Sequence, residues 1–138
     1  MKALGRHFIL ECYECDSDIL NDIEQIENYM NQAAEEAHAT IIKSLFHPFF
    51  PHGISGVIVI AESHLTVHTW PEHRYAAVDI FTCGDEAEPE AACSFLAEAF
   101  NAQQTTIMEL KRGQNVKENV SEKNSRCQII PLPHTSQK

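Results

Sequence analysis

The chain has 138 residues, 43% of them hydrophobic, which suits one compact domain with a substantial core. Its net charge of −10 excludes a phosphate-binding surface over most of the length. Residues 1–110 hold 18 acids against four bases, and the other six bases fall within 111–138. No apolar run nears the ~20 residues that cross a bilayer, and Met-Lys-Ala-Leu-Gly-Arg-His at the start develops no signal-peptide core. The expectation is a cytoplasmic protein that partners neither nucleic acid nor membrane.

The elements follow in chain order. Loose alternation from Leu4 to Cys12 predicts a strand. Asp16 and Ser17 are candidate N-caps of a helix. Its apolar stripe is Ile19, Leu20, Ile23, Ile26, Met30, Ala33, Ala34 and Ala37. Thr40 to Phe46 reads as a strand, and Pro48, Pro51 and Gly53 mark a loop. The β-branched run Gly56 to Ala61 predicts a buried strand. Two more alternating stretches follow, Leu65–Trp70 and Ala76–Thr82. Glu88 and Pro89 open a second helix, with Ala92, Phe95, Leu96, Ala99 and Phe100 on its apolar face. Thr105 to Leu110 closes the domain as a last strand.

The order β-α-β-β-β-β-α-β, with hairpin spacing in the middle, predicts an α+β fold. An antiparallel sheet carries two helices on one face, as an α/β sandwich. The other sheet face also needs cover, which points to a dimer. The domain is expected over 1–113. Beyond Gly113 the periodicity vanishes, and 114–138 reads as a polar, flexible tail.

Five cysteines cannot all pair within one chain, and they follow no disulfide-scaffold rhythm. Cys12-Tyr-Glu-Cys15 has CxxC spacing, but no second pair accompanies it and it does not open a helix. His64 and His68 share a strand face without further ligands in sequence, so no metal site is expected. The acidic body suits a cationic small substrate, or equally a soluble surface. Glu62-Ser63-His64 is a polar triplet between two apolar strands. On its own it reads as a tight turn with Ser63 and His64 exposed.

The run Ala61-Glu-Ser-His-Leu-Thr-Val-His-Thr-Trp-Pro-Glu72 closely resembles the processing-site motif of prokaryotic S-adenosylmethionine decarboxylases. The resemblance continues through Tyr75-Ala-Ala-Val-Asp-Ile-Phe-Thr-Cys-Gly84, Gly5-Arg-His and His47 to Gly56, and spans about residues 3–112. It implies a pyruvoyl-dependent carboxy-lyase made as a proenzyme that cuts itself between Glu62 and Ser63. Ser63 becomes the pyruvoyl group, which forms a Schiff base with the substrate amine. The product is the aminopropyl donor for spermidine synthesis.

Among individual residues, the resemblance makes His68 the base that removes the Ser63 α-proton and Ser55 a hydroxyl donor. Cys83 becomes the proton donor in decarboxylation. Phe49 would stack on the adenine and Glu72 would bind the ribose hydroxyls, both across a homodimer interface.

The pattern departs from the family at His52, where an aromatic residue is usual. It departs also at His73-Arg74, where Tyr-Gly is usual, and in the basic extension beyond Gly113. Arg74 adds a permanent charge beside Glu72 and leaves ornithine or arginine open as substrates. An uncleaved regulatory subunit is the alternative from another class.

Overall fold

The computed structural model describes residues 3–116. Six strands form one antiparallel sheet in the order β2-β3-β4-β5-β1-β6. They are β1 (Gly5–Tyr13), β2 (Ile41–Pro48), β3 (Ile54–Ile60), β4 (Ser63–Trp70), β5 (Tyr75–Cys83) and β6 (Gln104–Arg112). Helices α1 (Ser17–Leu20), α2 (Ile23–Glu36) and α3 (Pro89–Ala99) complete the fold. This is the expected α+β sandwich. The expected tail lies, from residue 117 onward, outside the described residues. Among the described residues no helix is long and apolar enough to cross a membrane.

Alternation decides which face is covered. Phe8, Leu10 and Cys12 of β1 share one side with Ile58 and Ile60 of β3, Leu65 and Val67 of β4, and Val78 and Ile80 of β5. They form one core with Ile26, Met30, Ala33 and Ala34 of α2 and Ala92, Cys93 and Leu96 of α3. Cys12 and Cys15 are free thiols with no exposure, so the CxxC pair is part of this packing.

The single helix expected from Asp16 onward is in fact two. Asp16 caps α1 through Asp18 N and Ile19 N, and Asp22 caps α2 through Glu24 N and Gln25 N. Between them Asn21 ends the first helix, and its Oδ1 accepts a hydrogen bond from Gly53 N at 3.1 Å. The apolar stripe runs across this break without interruption, because capping is a polar signal superposed on an unchanged 3.6-residue period.

The opposite sheet face carries His7, Ile9 and Glu11, Asp79 and Phe81, His64, Thr66, His68 and Trp70, with Ser55 and Val59 beyond. No helix of the described residues covers it. Leu45 (68% exposed), Met108 (51%) and Leu110 (45%) lie in the open on the flanking strands. With Ile9, Phe81 and Trp70 they put apolar side chains among the polar ones of an uncovered sheet face, a mixture of the kind found at protein contacts.

The core sets the stability. Leu10 has no exposed surface and sits on a strand paired on both sides. Leu10→Ala is expected to cost about 3 kcal/mol, measured by denaturant unfolding.

Candidate functional site

The expected site residues fall at two ends of the sheet. β3 and β4 are joined by the two-residue turn Ala61–Glu62, pinned to the strands beside it. Ala61 N donates to Thr40 O at 2.8 Å, and Thr40 N donates to Glu62 Oε1 at 3.1 Å. On the other flank, Cys83 N donates to the Glu62 carbonyl at 2.8 Å. Ser63, opposite Thr82 in the ladder, begins β4 with φ +149°. That region belongs essentially to glycine and costs of order 1–3 kcal/mol for another residue. The strain therefore falls on the residue whose amide follows Glu62. The Cys83 Sγ also lies 2.9 Å from the Glu62 carbonyl oxygen.

The other end gathers the remaining expected residues. Ser55 and His68 are direct partners across β3 and β4, with Ser55 Oγ 2.8 Å from His68 Nδ1. Phe49 follows β2 and is half exposed, its ring 4.8 Å from that of His47. Its amide donates to Gly53 O at 2.7 Å. Glu72 sits in the single turn Pro71–His73 between β4 and β5. His52 Nε2 lies 3.0 Å from Glu72 Oε1, which ties the loop of Phe49 to the loop of Glu72. Hollows of about 200 Å³ lie on either side of His68, one bounded by His7, Glu11 and Asp79, the other by His47, Ser55 and Thr66.

One chain does not bring all these residues together. His68 stands five residues along β4 from Ser63, about 17 Å at the rise of an extended strand. Glu62, Ser63 and Cys83 form one group; Phe49, Ser55, His68 and Glu72 form another.

Arg74 belongs to neither group. It adopts the left-handed conformation, φ 52°, at the end of the Glu72 turn. Its Nε donates to Cys15 O at 2.7 Å and its Nη2 to Glu14 O at 3.3 Å, while Cys15 N donates back to Arg74 O at 2.9 Å. The guanidinium thus fastens the Glu72 turn to the link between β1 and α1, although the residue stays exposed.

Sequence reasoning gave no role to Asp79 or His7. Asp79 Oδ2 lies 2.7 Å from His7 Nε2 and 3.0 Å from His64 Nε2, and Thr66 Oγ1 donates to Asp79 Oδ1. Burial pushes the Asp79 carboxyl upward, but these three partners outweigh it and hold the group well below the usual carboxylate range. His64 is therefore half-buried and engaged rather than exposed in a turn. The signal was present as alternation: His64, Thr66 and Asp79 all fall on the face opposite the core.

Comparison with known proteins gives a consistent result. The family model described as S-adenosylmethionine decarboxylase matches residues 6–113. Over 113 residues the chain is 56% identical to the S-adenosylmethionine decarboxylase proenzyme of Fervidobacterium nodosum, covering 82% of each protein. It is 57% identical to that of Pelotomaculum thermopropionicum, covering 82% of this chain and 90% of the relative. The crystal structure of the adenosylmethionine decarboxylase from Aquifex aeolicus VF5 superposes with a TM-score of 0.79 at 34% identity, covering 88% of this chain and all of that one. With its sheet, its strained Ser63 and these matches in agreement, the chain belongs to the S-adenosylmethionine decarboxylase family.

Proposed function

We propose that this chain is the proenzyme of a pyruvoyl-dependent decarboxylase of S-adenosylmethionine, cut by its own chemistry between Glu62 and Ser63 and working as a homodimer. The observation that carries this reading is the left-handed φ of Ser63 directly after a carbonyl gripped by Cys83 N–H. Strain raises the energy of the amide, and a donor on its oxygen stabilises charge as the carbonyl is attacked.

The Ser63 hydroxyl adds to the Glu62 carbonyl carbon and expels the Ser63 nitrogen, giving an ester. A base then removes the Ser63 α-proton, and the C–O bond breaks to release Glu62 as a carboxylate. The dehydroalanine left behind tautomerises to an imine. Water hydrolyses it to ammonia and a pyruvoyl group at the head of residues 63–138. The setting fits such a group, because β4 from His64 onward is paired to β3 and β5 through bonds that the conversion leaves intact. When present, the pyruvoyl ketone supplies the electron sink for loss of carbon dioxide from an α-amino acid.

The chain's own residues take the other tasks. His68, oriented by Ser55, is the base for the α-proton. A reduced Cys83 thiol returns a proton to the substrate carbon. Phe49 offers an aromatic face to the adenine and sulfonium, and Glu72 accepts from the ribose hydroxyls. His52 holds Glu72 in place until the substrate arrives.

Since His68 stands about 17 Å along the strand from Ser63, a second copy must bring its own Ser55–His68 end to this copy's Ser63. The uncovered sheet face is the surface for that contact. Two open faces packed against each other bury their apolar side chains and complete two sites at once. Arg74 supplied the reason to consider ornithine or arginine, and its engagement with the Glu14 and Cys15 carbonyls removes that reason.

Intact mass spectrometry of the purified protein should give residues 1–62 and a blocked 63–138. A single uncut 138-residue mass from folded protein would support the regulatory-subunit alternative. Co-expression tests the shared site: Ser63→Ala and His68→Ala chains, each uncut alone, should restore cleavage of the His68→Ala chain in mixed dimers. No cleavage in the mixture would place both residues in one chain's own site. Carbon dioxide release should favour S-adenosylmethionine over ornithine and arginine.

A further inference from the structure

We propose that Asp79 is a positioning residue for the self-cleaving peptide: it holds His64 and Thr66, on the strand just after Ser63, so that Ser63 keeps its left-handed backbone. This rests on the self-cleavage proposed above and adds to it the device that maintains the strain.

The geometry is asymmetric in a useful way. Asp79 is the ladder partner of Thr66, two residues along β5 from Phe81, which faces His64. One carboxylate therefore reaches both a direct and a diagonal neighbour on β4. Oδ1 accepts from Thr66 Oγ1, and Oδ2 lies 3.0 Å from His64 Nε2. The amide after Glu62 is thereby fixed from both directions. Cys83 N–H holds its carbonyl side, and the His64–Asp79 pair holds its serine side. A residue at φ +149° relaxes if either flank is free to rotate.

Two imidazoles and a carboxylate with ligand atoms within 4.8 Å of one another are also a set that could hold a divalent ion. Arg112 decides between the two uses. Its Nη1 lies 3.0 Å from His7 Nδ1, and a guanidinium has only donors to offer. A neutral His7 that accepts at Nδ1 carries its proton on Nε2, which faces Asp79 at 2.7 Å. The lone pair a metal would need is occupied by that proton, and a fixed cation stands behind the ring. The chain Arg112–His7–Asp79–His64 is a row of donors converging on one carboxylate. That arrangement restrains, where a ligand set would wait for an ion.

The test follows cleavage over time after synthesis, by intact mass, in wild type, Asp79→Ala, Asp79→Asn, His64→Ala and the Asp79→Ala/His64→Ala double variant. Melting of the uncut chains is measured in a Ser63→Ala background. Asp79→Ala should slow cleavage about tenfold or more, as expected for losing a charged hydrogen-bond acceptor, while the uncut chain still melts cooperatively. Asp79→Asn, with the same shape and half the acceptors, should fall between; it carries the comparison should the alanine variant not fold. The double variant should be slower than His64→Ala by less than Asp79→Ala is slower than wild type, because Asp79 acts in part through His64 and in part through Thr66. Wild-type cleavage in Asp79→Ala, or effects that multiply independently in the double variant, would overturn this role. If wild type itself stays uncut, the self-cleavage proposal fails instead. Cobalt added to the wild-type protein should give no absorption band that Asp79→Ala lacks; such a band would assign the cluster to a metal.

Discussion

The hydrogen bond from Cys83 N to the Glu62 carbonyl, 2.8 Å long, fastens the last residue of β5 to the turn between β3 and β4. Much of what is unusual in this fold is arranged around it. An ordinary two-residue hairpin would put its positive φ angles within the turn, on glycine or asparagine. Here the positive angle falls on the first strand residue, Ser63, and the turn residues are alanine and glutamate. Thr40, just before β2, and Cys83 of β5 support the turn, and Asp79, also of β5, anchors the strand that follows. Thr40 on one side and β5 on the other, both remote in sequence from the turn, hold one local conformation that the local sequence would abandon.

The same sheet separates the proposed chemistry into two halves. Antiparallel order sends β3 and β5 in one direction and β4 and β1 in the other. The β3–β4 turn and the end of β5 therefore meet at one edge, while the loops bearing Phe49 and Glu72 meet at the opposite edge. His52 joins those two loops, and Arg74 moors the second to the core side of the molecule. Each half is internally organised and neither reaches the other. A two-fold partner is the economical remedy, since one isologous contact supplies both missing halves.

Most of the architecture was legible because it rests on periodicity. Strand alternation and the helical stripe placed six strands and the helical layer correctly, with the ends off by a residue or two. What periodicity does not carry was missed. The break at Asn21–Asp22 depends on two side chains choosing backbone partners, and the apolar stripe is blind to that choice. The motif around Ser63 disclosed the chemistry, but not that His68 lies at the far end of its own strand from Ser63. Spacing along a chain reads as proximity, and an extended strand converts it into distance. Arg74 looked like a charge aimed at the ligand-binding loop. Its left-handed backbone turns it toward the Glu14 and Cys15 carbonyls instead, and a conformation of that kind in arginine leaves no trace in composition. Asp79 passed as one polar residue of an alternating strand, because its partners sit 72 and 15 residues away.

The turn at Ala61–Glu62 has one more consequence. On the proposed route the Ile60–Ser63 rung gives up the Ser63 nitrogen, while every other rung of β3 and β4 lies outside the severed bond. The break is a nick in a still-assembled sheet, and Thr40 and Cys83 keep hold of both sides of residue 62. What changes is electrostatic: a neutral amide oxygen becomes one end of a newly formed anion, 2.9 Å from the sulfur of Cys83.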